Sequence, residues 1–246
     1  MTAAVVTGAS RGIGREIARQ LAARGVRIAL HYRENRRAAE STLAELGGDG
    51  HALFAADLAD PGAAAGLMQE VGAAFGRIDV LINNAGIYHS HPLAQTSYDA
   101  WRKVWAETIA VNLLAPANLS FLAAQAMTRG GRIVNISSRG AFRGEPEAPA
   151  YAASKAALNA LSQSLAQAVA GRGISCYCLA PGWVETEMAA AHLAAPEGAG
   201  IIAQHPLGRV TRPEEVAQAA VFCALDAPAA MTGCIIDVNG ASYLRT

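Results

Sequence analysis

Residues 7–14 read TGASRGIG. Gly8, Gly12 and Gly14 are spaced G-x-x-x-G-x-G. They follow the apolar run AAVVT (Ala3–Thr7) and open the amphipathic run IGREIARQLAARG (Ile13–Gly25). A short apolar run bounded by glycine reads as a buried strand, and apolar residues at helical spacing closed by Gly25 read as a helix. A glycine turn between the two lets the backbone approach a pyrophosphate. Gly8 permits the tight turn, Gly12 the close approach, and Gly14 close helix packing, while the helix N-terminus offers free N–H groups to the anion.

The same alternation continues along the chain. RIALHY (27–32), HALFAAD (51–57), IDVLINNAG (78–86), GRIVNISS (131–138), GISCYCLAP (173–181) and GCIIDVNG (233–240) read as further strands. Between them lie helical runs: RRAAESTLAELGG (36–48), a run capped by Asp60 with Pro61 first, a long stretch holding Trp101, Trp105 and Asn112, YAASKAALNALSQSLAQAVAG (151–171), and TRPEEVAQAAVFCAL (211–225). Near-continuous apolar strands alternating with helices imply an α/β fold, a parallel sheet covered on both faces. No linker or repeat divides it, so one domain over residues 1–246 is expected. Residues 185–206 fit this pattern least and read as a mobile flap over a site or as a pair of surface helices.

Hydrophobic residues make up 52% of the 246-residue chain and charged residues 16%, too apolar a mixture for intrinsic disorder. With 20 basic against 20 acidic residues and no basic run, neither nucleic acid nor a membrane surface is implied as a partner. No signal peptide and no apolar run of about 18 residues is read, so a cytoplasmic location is expected. Cys176, Cys178, Cys223 and Cys234 lack metal or disulfide spacing and read as buried reduced thiols.

Polar residues gather where an α/β sheet places its ligand crevice, at the carboxyl ends of strands. NNAG (Asn83–Gly86) ends one strand, and Ser137 and Ser138 end the next. Asn112 lies between them, and Tyr151 and Lys155 stand one helical turn apart in YAASK. Each has an ordinary reading alone: a turn, a cap, a buried amide, a solvated pair. At the dinucleotide end, Tyr32 and Arg33 occupy the place where an NAD binder carries an acid, and Arg11 lies inside the glycine loop. Two guanidiniums near one point suit a 2′-phosphate, so NADP(H) is favoured over NAD(H). Glu34 in place of Arg33 at the ribose would weaken that preference. Asp57 could accept from an adenine amino group or cap a turn.

Taken together, these elements closely resemble the short-chain dehydrogenase/reductase family of the one-domain type. The matching residues are Thr7–Gly14, Asp57, Asn83–Gly86, Asn112, Ser138, Tyr151, Lys155 and PGWVETEM (Pro181–Met188). The resemblance implies a three-layer, Rossmann-type doubly wound parallel sheet and an oxidoreductase in which Tyr151 exchanges the proton. Lys155 would lower the phenol's pKa and bind the nicotinamide ribose, Ser138 would hold the carbonyl, and Asn112 would hold a relay water. The implied cofactor set is Gly8, Ser10, Arg11, Gly12, Ile13 and Gly14 in the loop, and Tyr32, Arg33, Asp57 and Leu58 on the adenosine side. Asn84, Ala85 and Gly86 follow the fourth strand. Tyr151, Lys155, Pro181, Gly182, Val184 and Thr186 stand at the nicotinamide end. A homotetramer is also implied.

Within the family, the chain is most similar to 3-oxoacyl-[acyl-carrier-protein] reductases. Arg129 and Arg172 match positions where those enzymes receive the acidic carrier; both also read as ordinary basic residues before a strand and at a helix end. Arg139, Arg143, Glu145, Glu147, His89 and His91 depart from the pattern and read either as contacts to a polar or anionic substrate or as rim residues. A dehydrogenase of a sugar, polyol, steroid or secondary metabolite stays open, as does a non-catalytic dinucleotide sensor.

Overall fold

The computed structural model describes residues 1–128, 130–196 and 198–245. Seven strands form one parallel sheet: β1 (Ala3–Val6), β2 (Arg27–Tyr32), β3 (Ala52–Ala55), β4 (Val80–Asn83), β5 (Gly131–Ile136), β6 (Ile174–Pro181) and β7 (Ile235–Val238). The spatial order is β3-β2-β1-β4-β5-β6-β7. The chain therefore starts mid-sheet, runs outward to β3, and returns to the other side of β1. The reversal opens a crevice between the carboxyl ends of β1 and β4, where Val6 pairs with Ile82.

Helices α1 (Gly12–Ala23), α2 (Arg36–Ala44), α3 (Pro61–Phe75), α4 (Tyr98–Ile109), α5 (Ala115–Ala126), α6 (Gly140–Arg143), α7 (Pro149–Val169), α8 (Glu187–Ala194), α9 (Gly198–Ala203) and α10 (Pro213–Val221) connect and cover the sheet. Side chains alternate across a strand, so each strand serves both faces. Ala4 and Val6 enter the core with Ile17 and Leu21 of α1 and Val216 and Ala220 of α10. Ala3 and Val5 enter the opposite core with Leu67 and Val71 of α3, Leu119 of α5 and Val169 of α7. Leu21 is fully buried, and its change to Ala would cost about 2–5 kcal/mol. Helix α3 starts as its sequence demands: Asp60 accepts from Gly62 N at 2.8 Å, with Pro61 next.

Three expectations change. The long fourth helix is broken by one π-helical turn, Ala110–Leu114, with Asn112 fully buried at its centre. Pro116 has no N–H to offer Asn112 O four residues back, which interrupts the α ladder here. Helical structure still runs from Tyr98 to Ala126, a stretch that by length and composition could cross a membrane, although no such run was expected. Here it is a core-facing element, with Leu119 and Ala123 buried and Leu114 and Phe121 exposed. Cys176, Cys178 and Cys223 are buried free thiols, but Cys234 is exposed, because it lies in the turn before β7 and not inside the strand. In residues 185–206, the described part forms the short helices α8 and α9, and α8 borders the crevice.

Candidate active site

A cleft of about 520 Å³ runs over the carboxyl ends of the strands, from Arg33 and Asp57 at one end to Ser138 and Tyr151 at the other. The end of β1 is tied across the crevice to the end of β4. Thr7 Oγ1 accepts from Asn84 N at 2.9 Å and Ala85 N at 3.0 Å, and Asn84 Nδ2 donates back to Thr7 O at 2.9 Å. A Cβ on Gly14 would run into that Asn84 amide and the Gly8 carbonyl, so glycine is required there. Gly8, at φ +62°, turns the chain. Gly8 N donates to His31 Nδ1 at 3.0 Å, which leaves Nε2 as the N–H that meets Ala56 O at 3.0 Å. Burial lowers the His31 pKa and favours this neutral ring, against the opposing pull of Ala56 O and Asp57.

The N-terminus of α1 carries no side-chain cap, so its free N–H groups face the cleft beside Gly12. An uncapped helix start with glycines at φ +62° and +55° is a cradle that fits a pyrophosphate. Tyr32, Arg33, Asp57 and Leu58 wall the adjoining end. Asp57 Oδ1 accepts from Ala59 N at 3.0 Å, so it does close a turn. Arg11 Nη1 pairs with Glu187 Oε2 of α8 at 2.8 Å, and Arg33 Nε with Glu34 Oε1 at 3.2 Å. More than half of each side chain is exposed. Such pairs contribute little, so either guanidinium can turn to an anion.

At the other end, Tyr151 and Lys155 project from the first turns of α7. Lys155 is 4% exposed, and its Nζ donates to Ile136 O at 2.8 Å while standing 5.7 Å from the Tyr151 ring centre. Burial pushes Lys155 down to about 8, with Cys178 opposing. Burial pushes the Tyr151 phenol up to about 12; a hydrogen bond from Ser138 opposes this, and Glu145 and Tyr88 add to it. Lys155 was expected to lower the Tyr151 pKa. In the protein alone, desolvation prevails and the ammonium is turned to the Ile136 carbonyl. The side chain of Asn112, named from sequence as the holder of a relay water, bonds to protein: Oδ1 accepts from Ile87 N at 2.8 Å, and Nδ2 donates to Ile87 O and Ser154 Oγ.

The family model described as Enoyl-(Acyl carrier protein) reductase matches residues 8–241. The 3-oxoacyl-[acyl-carrier-protein] reductase FabG of Escherichia coli (strain K12) is 39% identical over 243 residues, covering 98% of this chain and 97% of that protein. The chain belongs to the short-chain dehydrogenase/reductase family. Among solved members, a putative NAD(P) dependent gluconate 5-dehydrogenase from Beutenbergia cavernae with bound NADP superposes with TM-score 0.88. It shares 40% identity and covers 98% of this chain and 96% of its own. A short chain dehydrogenase from Burkholderia cenocepacia J2315 in complex with NADP also gives 0.88, at 32% identity, covering 98% and 97%.

In this short-chain dehydrogenase/reductase, every residue named from sequence for the cofactor or the chemistry borders the one cleft, save two. Gly14 packs behind the loop, and Asn112 lies beneath it, holding Ile87. The flanking residues divide between the two readings given for them and roles of their own. Arg139 lines the cleft but is buried: its Nη2 and Arg143 Nη1 both donate to Gln204 Oε1. His91 is buried and outside the cleft; its Nε2 accepts from Ala150 N at 3.3 Å, where α7 has no cap of its own. His89 is exposed. Arg172 donates to Ala124 O and Met127 O, closing the end of α5, while Arg129 lies outside the described residues.

Sequence reading missed Tyr88, Trp183 and His192, an aromatic wall with Tyr88–Tyr151 ring centres 5.2 Å apart and Trp183–His192 5.5 Å apart. It also missed His31. No local pattern distinguishes these from ordinary loop and strand residues; their nearness to the strand ends was the one available signal.

Proposed function

We propose that the chain, folded as one domain over residues 1–246, is a cytoplasmic NADPH-dependent carbonyl reductase. Its substrate is a 3-oxoacyl thioester presented by an acyl carrier protein. One observation carries the reaction type. Ser138, Tyr151 and Lys155 meet at one end of a cleft whose other end is the uncapped start of α1. NADPH supplies the hydride when bound. Ser138 Oγ hydrogen-bonds the substrate carbonyl and steadies the charge that develops on its oxygen. Tyr151, a phenol with its pKa at about 12, stays protonated at neutral pH and gives its proton to that oxygen. Lys155 Nζ, close to the ring, favours the resulting phenolate and holds ribose hydroxyls. Asn112 fixes the backbone after Gly86, and with it the wall of the cleft. Arg11 and Arg33 turn from their exposed pairs to the 2′-phosphate, in keeping with NADP in two similar structures.

The 39% identity to FabG over nearly the whole chain supports the thioester substrate. In the same reading the carrier is bound through Arg129 and the exposed Arg172, and exposed Leu114 and Phe121 are covered in a homotetramer. A second reading, oxidation or reduction of a polyhydroxy compound, draws on Glu145 in the cleft and on the 40% identity to a putative gluconate 5-dehydrogenase. NADPH oxidation with acetoacetyl thioesters, set against NADP reduction with a polyol and sugar-acid panel, decides between them. No turnover of any acyl thioester would remove the first.

A further inference from the structure

Glu145 stands where few carboxylates are tolerated. It lines the cleft beside Tyr151 and Tyr88 and is only partly exposed. Its side chain lies over Gly140, so close that a Cβ there would stand 2.8 Å from Oε1. Two cations are near enough for their charge to oppose the effect of burial on Glu145, but neither bonds it: Arg139 Nη2 and Arg143 Nη1 donate to one neutral oxygen, Gln204 Oε1, at 2.9 and 3.1 Å. Among the described residues, Glu145 forms no ion pair. A half-buried carboxylate bonded to no protein cation keeps its oxygens free to take a donor that a ligand brings in place of water. Its charge reaches the cleft: it raises the pKa of both Tyr151 and Tyr88. The facing wall of Tyr88, Trp183 and His192 is aromatic and supplies no anion that would compete for such a donor.

We propose that Glu145 is a specificity-determining residue that accepts a hydrogen bond from an N–H or O–H of the substrate held in the cleft. This rests on the reading of Tyr151 as the proton donor in the same cleft. The shared chemistry is one hydrogen-bond donor, from either of two sources. In a carrier-bound thioester it is the amide N–H of the thiol arm; in a hydroxylated ketone it is the neighbouring hydroxyl.

The test uses two matched pairs with NADPH and the full chain. One pair is the acetoacetyl thioester of N-acetylcysteamine and its N-methylated amide. The other is 1-hydroxy-2-butanone and its methyl ether. In wild type, kcat/KM favours the donor-bearing member of one pair by about tenfold or more, the scale of a hydrogen bond to a charged group. Glu145→Gln cuts that ratio to about threefold or less while NADPH affinity is kept. The pair that responds names the source. Equal rates within both pairs in wild type, or an unchanged ratio in Glu145→Gln, overturns the proposal. If Glu145→Gln does not bind NADPH, Glu145→Asp, which withdraws the carboxylate by one methylene, is read with the same expectation. A wild type that turns over none of the four ketones overturns the reductase reading itself.

Discussion

Asn112 holds both main-chain polar groups of Ile87, with Oδ1 accepting from Ile87 N at 2.8 Å and Nδ2 donating to Ile87 O at 2.9 Å. The amide is fully buried in the π-helical turn, and π turns gather at functional sites. Asn112→Ala strands an N–H and a carbonyl, each at about 1–3 kcal/mol. The expected result is a fall in Tm of roughly 4–12 °C by calorimetry, with a lower kcat as the Gly86–Ile87 wall loosens. An unchanged Tm would mean that the bonds carry no stability.

Tyr151→Phe removes the proposed proton donor and leaves the ring against Tyr88. Turnover of any carbonyl substrate drops by about a hundredfold or more, while NADPH affinity, read by fluorescence titration, stays within a few-fold. Retained turnover would exclude Tyr151 as the acid.

Lys155, with its pKa near 8, is protonated below that pH and neutral above it. The phenol, at about 12, stays protonated throughout. The kcat/KM for reduction therefore falls as pH rises through about 8, where the cation that favours the phenolate is lost. The stability sign is opposite. The folded pKa lies below the unfolded value of about 10.4, so the unfolded chain binds more protons between the two. Stability from this group rises over that window. Wild type should gain on Lys155→Met between pH 8 and about 10.4 in urea melts.

Arg33→Ala weakens NADPH binding by about tenfold and leaves NADH binding unchanged, because only the 2′-phosphate needs the guanidinium. Arg11→Ala acts in the same direction. Equal effects on both cofactors would assign these arginines to the exposed pairs with Glu34 and Glu187 alone.

His91→Phe keeps an aromatic ring against Trp101 but removes the acceptor for Ala150 N. Loss of this cap costs about 1 kcal/mol and reduces kcat, since Tyr151 is the next residue. His91→Asn, which can also accept, recovers part of both.

The strands, the glycine loop and the Asp60 cap were legible in sequence because each depends on a few neighbouring residues. RIALHY matches β2 residue for residue, and the loop lies between β1 and α1 as its spacing demanded. Arg139 was less legible. Its charge suggested a substrate contact or a wet rim; it lines the cleft beside Ser138, but it is buried and its guanidinium donates to Gln204. His91 read as a residue at the mouth of the site and proved to be the cap of the helix carrying Tyr151.

Sequence alone determined the α/β alternation, the strand–glycine–helix start, and the placing of Asn84 and Ser138 at strand ends with Tyr151 and Lys155 on the helix that follows. Periodicity and turn chemistry are local, and parallel order then brings those ends together. Tertiary structure decided the partners. Gly8 meets His31 across 23 residues, Ala150 meets His91 across 59, and Arg139 meets Gln204 across 65. It also decided that burial governs Tyr151 and Lys155, and that Arg139 and Arg143 bond Gln204 and not Glu145. Desolvation and donor geometry depend on what surrounds a group from distant parts of the chain, and no stretch of sequence carries that information by itself.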